Sequence, residues 1–227
     1  MTGRSRWAAQ ELGYAFTEES LLEQALTHRS ASRSNNERLE FLGDAMLSLT
    51  VARSLYEMRP DAEEGDLSRA RAALVNRTCL ARIGRRIAID EHLILGGGEL
   101  GSGGAQRDST LADAVEAVIG AVVLDGGYLA AESLVLRLLK DEFASLPDSE
   151  SLKDAKTRLQ EWLQARGQSL PEYKVDGVGG SDHNQIFVVR CMVAKYDKTS
   201  SGEGTSRRRA EQAAAEAMLI KLTGGDG

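Results

Sequence analysis

The spacing of apolar residues changes once along this chain, and that change limits what each part can become. From Ala8 to Glu142 apolar residues recur at three- and four-residue intervals, the period of helices packed on helices. Candidate helices cover residues 6–14, 18–26, 36–58, 66–75, 77–88, 107–126 and 128–145. The turn-rich stretches RSASRSN (29–35), RPDAEEG (59–65) and GGGELGSGG (96–104) separate them. After the polar, proline-bearing SLPDSESLKDA at 145–155, the pattern alternates. EYKVDGV and QIFVVRCMV read as strands, KYDKTSSGEG as a third strand with its turn, and the helices KTRLQEWLQ and TSRRRAEQAAAEAMLIKL flank them. The pattern predicts a mainly α protein: an all-helical domain over 1–146, a linker at 147–153 and a small α-β-β-β-α domain over 154–223. No internal repeat is found.

Charge divides at the same place. The net charge of −6 argues at first against a nucleic-acid partner. Residues 1–151, however, hold 16 Lys+Arg against 24 Asp+Glu, a net of −8, whereas 152–227 hold 12 against 10, a net of +2. The two parts have different tasks. Cys79 and Cys191 are far apart and lack metal-ligand spacing, as expected of a reduced, cytoplasmic protein. MTGRSRWAAQELGY has no apolar signal core, and the apolar VIGAVVL is bounded by Glu116 and Asp125, so no membrane association is expected.

The segment NERLEFLGDA at 36–45 is unusual for a surface helix. At 100° per residue Glu37, Glu40 and Asp44 fall within about 60° of one another, with Phe41 beside them and Leu39, Leu42 and Met46 opposite. Like charges at that spacing cost roughly 0.2–0.5 kcal/mol per pair, and an apolar ring among them favours burial. LADAVEAVIGAVVLD at 111–125 repeats the pattern with Asp113 and Glu116 on one face, where Ala117 and Gly120 leave room for another backbone. Glu64 and Asp66 add acids near a helix start. One carboxylate pair is an ordinary solvated face; two helices with clustered acids and no intervening Lys or Arg are not. Glu40, Asp44, Asp113 and Glu116 together carry −4, a charge two Mg²⁺ ions would neutralise, and Mg²⁺ prefers carboxylate, water and phosphate oxygens. A two-metal site of this kind suits phosphodiester cleavage. Few histidines and no clustered cysteines argue against zinc.

Other features read as ordinary structure. GGGELG at 96–101 matches a dinucleotide-loop spelling, but no strand precedes it and no helix is expected to open on its last glycine, so it reads as a mobile loop with no organic cofactor. Asn76-Arg77-Thr78 spells a glycosylation sequon only, and His28 and His92 lack a partner at metal-ligand spacing.

These residues together resemble a known family. NERLEFLGDA is similar to the signature of ribonuclease III, and LADAVEAVIGAVVLD to its second acidic segment. EEGDLSRARAALV and SGGAQRDS, the latter containing Arg107, match further family segments in order. The resemblance implies a homodimeric, Mg²⁺-dependent endonuclease, with Mn²⁺ a possible substitute, that cuts double-stranded RNA to 5′-phosphate and 3′-hydroxyl ends with short 3′ overhangs. It implies processing of ribosomal and other structured RNA precursors. Carried over by position, Glu40, Asp44, Asp113 and Glu116 match metal ligands, with Asp44 and Glu116 also catalytic. Glu37 and Glu64 match further acids of the cleavage site, Arg107 an RNA contact, and Phe41 an aromatic that packs into the partner subunit. Ala45 stands where serine is frequent and Gly101 where lysine is common; neither departure removes a metal ligand.

The C-terminal part resembles a double-stranded-RNA-binding domain. KTRLQEWL matches its first helix, which implies minor-groove contacts from Thr157, Gln160 and Glu161. GSDHNQIF matches the loop between the first two strands, with His183 entering a second minor groove. Arg207, Arg208 and Arg209 sit in a first helical turn, where the dipole disfavours cations unless phosphates bind there; Ser206 or Thr205 would cap that turn. Two other classes compete. A non-catalytic RNA-binding protein on a degenerate nuclease scaffold should lack at least one of the four acids, and none is missing. A phosphohydrolase of small nucleotides leaves the basic module unexplained.

Overall fold

The structure, a computed structural model, describes residues 2–147, 154–179 and 185–224. Residues of the expected linker and His183 lie outside that set. The chain divides into two compact units, Met1–Pro147 and Asp148–Gly227.

The first unit is all-helical. Its helices are α1 (Gly3–Trp7), continued by a wider π turn over Ala8–Leu12, α2 (Glu19–Ala25), α3 (Glu37–Met58), α4 (Glu64–Leu74) and α5 (Arg77–Arg86). Then follow α6 (Gly97–Gly101), α7 (Asp108–Leu138) and α8 (Lys140–Ala144). Two helices form the centre. α3 buries Leu39, Met46, Leu47, Val51 and Leu55 against α7, which buries Leu111, Val115, Val118, Ile119 and Val122. The stripe at three- and four-residue spacing is what drives this packing. Two glycines bring the backbones into contact. A Cβ on Gly43 would stand 1.7 Å from the carbonyl oxygen of Glu116, and one on Gly120 2.1 Å from that of Leu39. Only glycine fits at either position.

By length and apolar composition α7 would pass as a membrane span, yet about half of its apolar stretch is buried inside the domain. Gly127 breaks α7 with φ 78° and ψ −176°, the position at which the sequence divides helices 107–126 and 128–145. The stretch at 96–104 departs from the mobile loop expected of it: Gly97–Gly101 closes a short helix, followed by a 3₁₀ turn over Gly104–Gln106.

The loop between α2 and α3 folds back on the segment before α6. Thr27 and Ile94 form a parallel bridge, His28 N donates to Ile94 O (2.9 Å), and Gly96 N donates to Ser30 Oγ (3.0 Å).

In the second unit, α9 (Ala155–Gln164) and α10 (Arg207–Thr223) cover a three-stranded antiparallel sheet of order β1-β2-β3, with β1 Glu172–Gly179, β2 Ile186–Val193 and β3 Lys198–Gly204. Val175 faces Val189, a bulge follows at Asp176, and Phe187 faces Gly204. Leu159, Leu163, Val189, Cys191, Met218 and Leu222 form the core. β3 lies close on α10, since a Cβ at Gly202 would meet Ala214 N at 2.1 Å. Both cysteines are free and buried.

Candidate metal centre and nucleic-acid interface

The close α3–α7 contact carries the acids of both helices to one place. Glu40, Asp113 and Glu116 each offer a carboxylate oxygen, and these atoms lie within 4.8 Å of one another. All three side chains are partly buried. Burial is the largest influence on each and disfavours its charged form. Glu116 is affected most: its carboxyl is pushed from an ordinary 4.5 up to about 8 by burial, then by Asp44, Glu40 and Asp113, while Arg77 pulls it down. Glu40 is raised by burial and by Asp113, Glu37 and Asp44, against Arg29. Asp113 is raised by burial, with Arg77, His28 and Arg29 opposing. Asp44 is exposed next to the trio and acts on it through its charge.

An open cavity of about 670 Å³ lies over Glu40 and Asp113. Glu37 lines it and pairs with Arg29 at 3.6 Å. Arg107, the residue before α7, lines it as well and pairs with Glu99, with a second nitrogen donating to Ser102 Oγ at 2.9 Å. The cavity thus has an acidic floor and a rim of arginines, each held by a carboxylate. Glu64 is not brought to the cluster: it is exposed at the start of α4 and accepts from Ser68 Oγ at 2.7 Å.

The sequence does not mark Asn36, Arg29, Arg77 or Glu99 as part of this site, and it gives His28 only as a histidine without a partner at metal-ligand spacing. Loop residues have no periodicity to mark them, and His28 and Arg29 line the cavity from the loop that the Thr27–Ile94 bridge ties to the segment before α6. Glu99 belongs to the short helix α6, which reads from sequence as a flexible loop.

The donor set fits a hard divalent cation. It consists of carboxylate oxygens alone, and neither buried thiol belongs to it. Half-buried carboxylates this close raise one another's proton affinity, and a bound cation would remove that conflict.

Phe41 projects from α3 with 80% of its surface exposed. Beside it is a second cavity of about 550 Å³, lined by Gln24, Arg38, Leu39, Leu42 and Leu124 among others.

In the second unit Thr157 lies in the first turn of α9, its N–H capped by Asp154, with Gln160 and Glu161 one turn on. Arg207, Arg208 and Arg209 are exposed in the first turn of α10, capped by Ser206. Arg207 pairs with Glu211 (2.9 Å) and Arg209 donates to Thr205 Oγ1 (3.0 Å). Glu211 also holds Lys156 (2.7 Å), Lys156 N donates to Gln212 Oε1 (3.1 Å), and Arg158 pairs with Glu216.

Comparison with known proteins agrees with this architecture. Residues 18–142 match the Ribonuclease-III-like family model, and residues 155–222 match the double-stranded RNA binding motif. A Ribonuclease 3 of Alkalilimnicola ehrlichii is 54% identical over 93% of this chain and 92% of its own length. That of Vibrio cholerae is 51% identical over 99% and 100%. Among solved structures, the nuclease domain of ribonuclease III from Campylobacter jejuni is 40% identical with a TM-score of 0.61, covering 64% of this chain and all of that one. Another structure of that domain, at 42% identity and a TM-score of 0.59 over 61% of this chain and 97% of that one, is described as flexible in a region involved in dimer formation. The chain belongs to the ribonuclease III family, with a helical nuclease domain followed by a double-stranded-RNA-binding motif.

Proposed function

We propose that this protein is a Mg²⁺-dependent endoribonuclease that hydrolyses both strands of double-stranded RNA, leaving 5′-phosphates, 3′-hydroxyls and short 3′ overhangs. The observation that carries the reading is the meeting of Glu40, Asp113 and Glu116 within 4.8 Å, under a cavity with arginines at its rim. These three, with Asp44 beside them, would hold the cation. When bound, Mg²⁺ supplies activation of water for attack on phosphorus and stabilisation of negative charge on the phosphate. Mn²⁺ takes similar oxygen ligands and can substitute.

The chain's own residues handle the substrate. Arg29 and Arg107, held at the rim by Glu37 and Glu99, are placed to exchange those carboxylates for backbone phosphates. Glu37 belongs to the rim, and Glu64 approaches the RNA from α4. The exposed ring of Phe41 next to an open cavity supports a homodimer in which each ring enters the partner. Two sites related by a two-fold axis would then address the two strands of one duplex. The binding motif would grip the duplex through Thr157, Gln160, Glu161 and His183 in minor grooves and through Arg207–Arg209 on the phosphates between them. Its specificity is for shape, so structured precursors such as ribosomal RNA are suitable substrates, met in the cytoplasm.

The test is cleavage of a long RNA duplex with Mg²⁺ by the native chain and by Glu116→Gln. We expect the native chain to cut both strands, and the variant to bind RNA equally but cut at least about a thousandfold more slowly. A native chain that binds duplex without cutting would leave a binding protein on a nuclease scaffold.

A further inference from the structure

Asn36 is the residue immediately before α3, the position at which an asparagine ordinarily accepts a hydrogen bond from the first turn of the helix. Here it does not. Its backbone is already helical (φ −80°, ψ −16°) and its side chain makes no capping bond. The neighbouring Asn35 does that work, its Oδ1 accepting from Glu37 N at 3.1 Å. Asn36 is nevertheless 3% exposed, and its carboxamide has no hydrogen-bond partner among the described residues. Its little remaining access opens onto the cavity over Glu40 and Asp113, which it lines.

The fully buried side-chain polar atoms left without a partner do not include those of Asn36, so its carboxamide keeps access to the cavity, where water or a ligand can meet it. The position is also fixed from both sides. Asn36 N donates to Thr27 O (2.9 Å), and Asn36 O accepts from Glu40 N (2.8 Å), so the carboxamide is set one turn from a carboxylate of the acidic trio. A donor whose backbone is held on both sides, and which opens onto the cavity beside the acidic trio, is suited to a ligand rich in acceptor oxygens.

Building on the nuclease reading above, we propose that Asn36 is a catalytic residue whose Nδ2–H₂ donates to a non-bridging oxygen of the phosphate being cleaved. No covalent step passes through it. During hydrolysis negative charge grows on those oxygens, and a donor that needs no reorganisation stabilises the transition state more than the ground state. Removal of one such donor elsewhere costs about 10²–10³ in kcat. The effect therefore belongs in kcat and not in RNA affinity.

The experiment compares the native full-length chain with Asn36→Ala and Asn36→Asp. It measures kcat and KM on an RNA duplex, the Mg²⁺ concentration giving half-maximal rate, duplex affinity in EDTA, and the thermal midpoint. We expect Asn36→Ala to lower kcat at least about tenfold while duplex affinity and the Mg²⁺ midpoint stay within about twofold. Asn36→Asp keeps the shape but cannot donate and repels phosphate, so its kcat should fall further although its fold persists. If both variants turn over like the native chain per folded molecule, or if Asp is as active as Asn, the assignment is overturned. Equal losses of thermal midpoint and activity in both variants, with kcat per folded molecule unchanged, mean a structural residue and overturn it too. A native chain that does not cut at all overturns the nuclease reading and this inference with it, an outcome distinct from native cleavage with indifferent variants.

Discussion

Glu40, Asp113 and Glu116 meet half-buried, each with its charged form disfavoured, whereas Arg207 and Arg209 stand in solvent, partnered by Glu211 and Thr205. In the proposed function both clusters serve a nucleic acid, and they are built in opposite ways. The low local dielectric strengthens the repulsion among the sheltered carboxylates, a conflict that a bound cation would relieve. The exposed arginines make weak, salt-screened pairs that a phosphate can replace at little cost. The first arrangement suits an ion held between the carboxylates. The other is organised to release its own partners.

Breaking the shelter should have the largest effect. A methyl group at Gly43 would meet the Glu116 carbonyl 1.7 Å away, backbone against side chain, where neither helix can yield without moving the acids apart. We expect Gly43→Ala to destabilise the nuclease domain by about 3 kcal/mol, the upper end of overpacking costs. Thermal unfolding should show a loss of roughly 10 °C in that domain's transition, while duplex binding by the other domain persists. An unchanged transition would show that glycine contact does not set the spacing of the cluster.

The next effect concerns pH. Glu116 titrates near 4.5 when unfolded and near 8 when folded, and Glu40 and Asp113 shift in the same direction. Between those values the native state binds more protons than the unfolded chain, so stability falls as pH rises. The metal-free thermal midpoint should therefore be highest below about pH 4.5 as far as these groups are concerned, and decline up to about pH 8. Added Mg²⁺ should restore it most at the alkaline end, where deprotonated ligands bind best. The same restoration at pH 5 and pH 8 would separate metal binding from these acids.

The smallest effect sharpens the other side of the comparison. Arg208→Ala should weaken duplex affinity only several-fold, uniformly across sequences, and reduce the slope of log affinity against log salt by about one. A loss confined to certain sequences would mean that the arginine reads bases.

Most of this organisation is legible in the sequence, and the reasons differ by element. α3, α7 and the strands follow from their periods, and the break at Gly127 falls where the candidate helices divide. The acids stand out because like charges on one helix face are unfavourable unless something answers them. α6 does not stand out, because three glycines in five residues oppose a helix by about 1 kcal/mol each. Asn36 and Arg29 are hidden for another reason. Their importance depends on a loop pairing across more than sixty residues of sequence, Thr27 with Ile94, which no local pattern announces. Asn36 also stands where an ordinary cap is expected, and only the capping bond made by Asn35 instead reveals that its amide is unused.

Glu211 holds Lys156, Gln212 accepts from the start of α9, and Arg158 reaches Glu216 farther along, so the two helices of the C-terminal domain are tied together at several points. The surface assigned to the duplex is drawn from both of them. In the proposed function this surface acts as a template whose two helices are tied before a duplex docks, which lowers the conformational entropy lost on docking. A template of fixed width measures the spacing of grooves, which is why a domain of this kind can recognise A-form geometry without reading a single base.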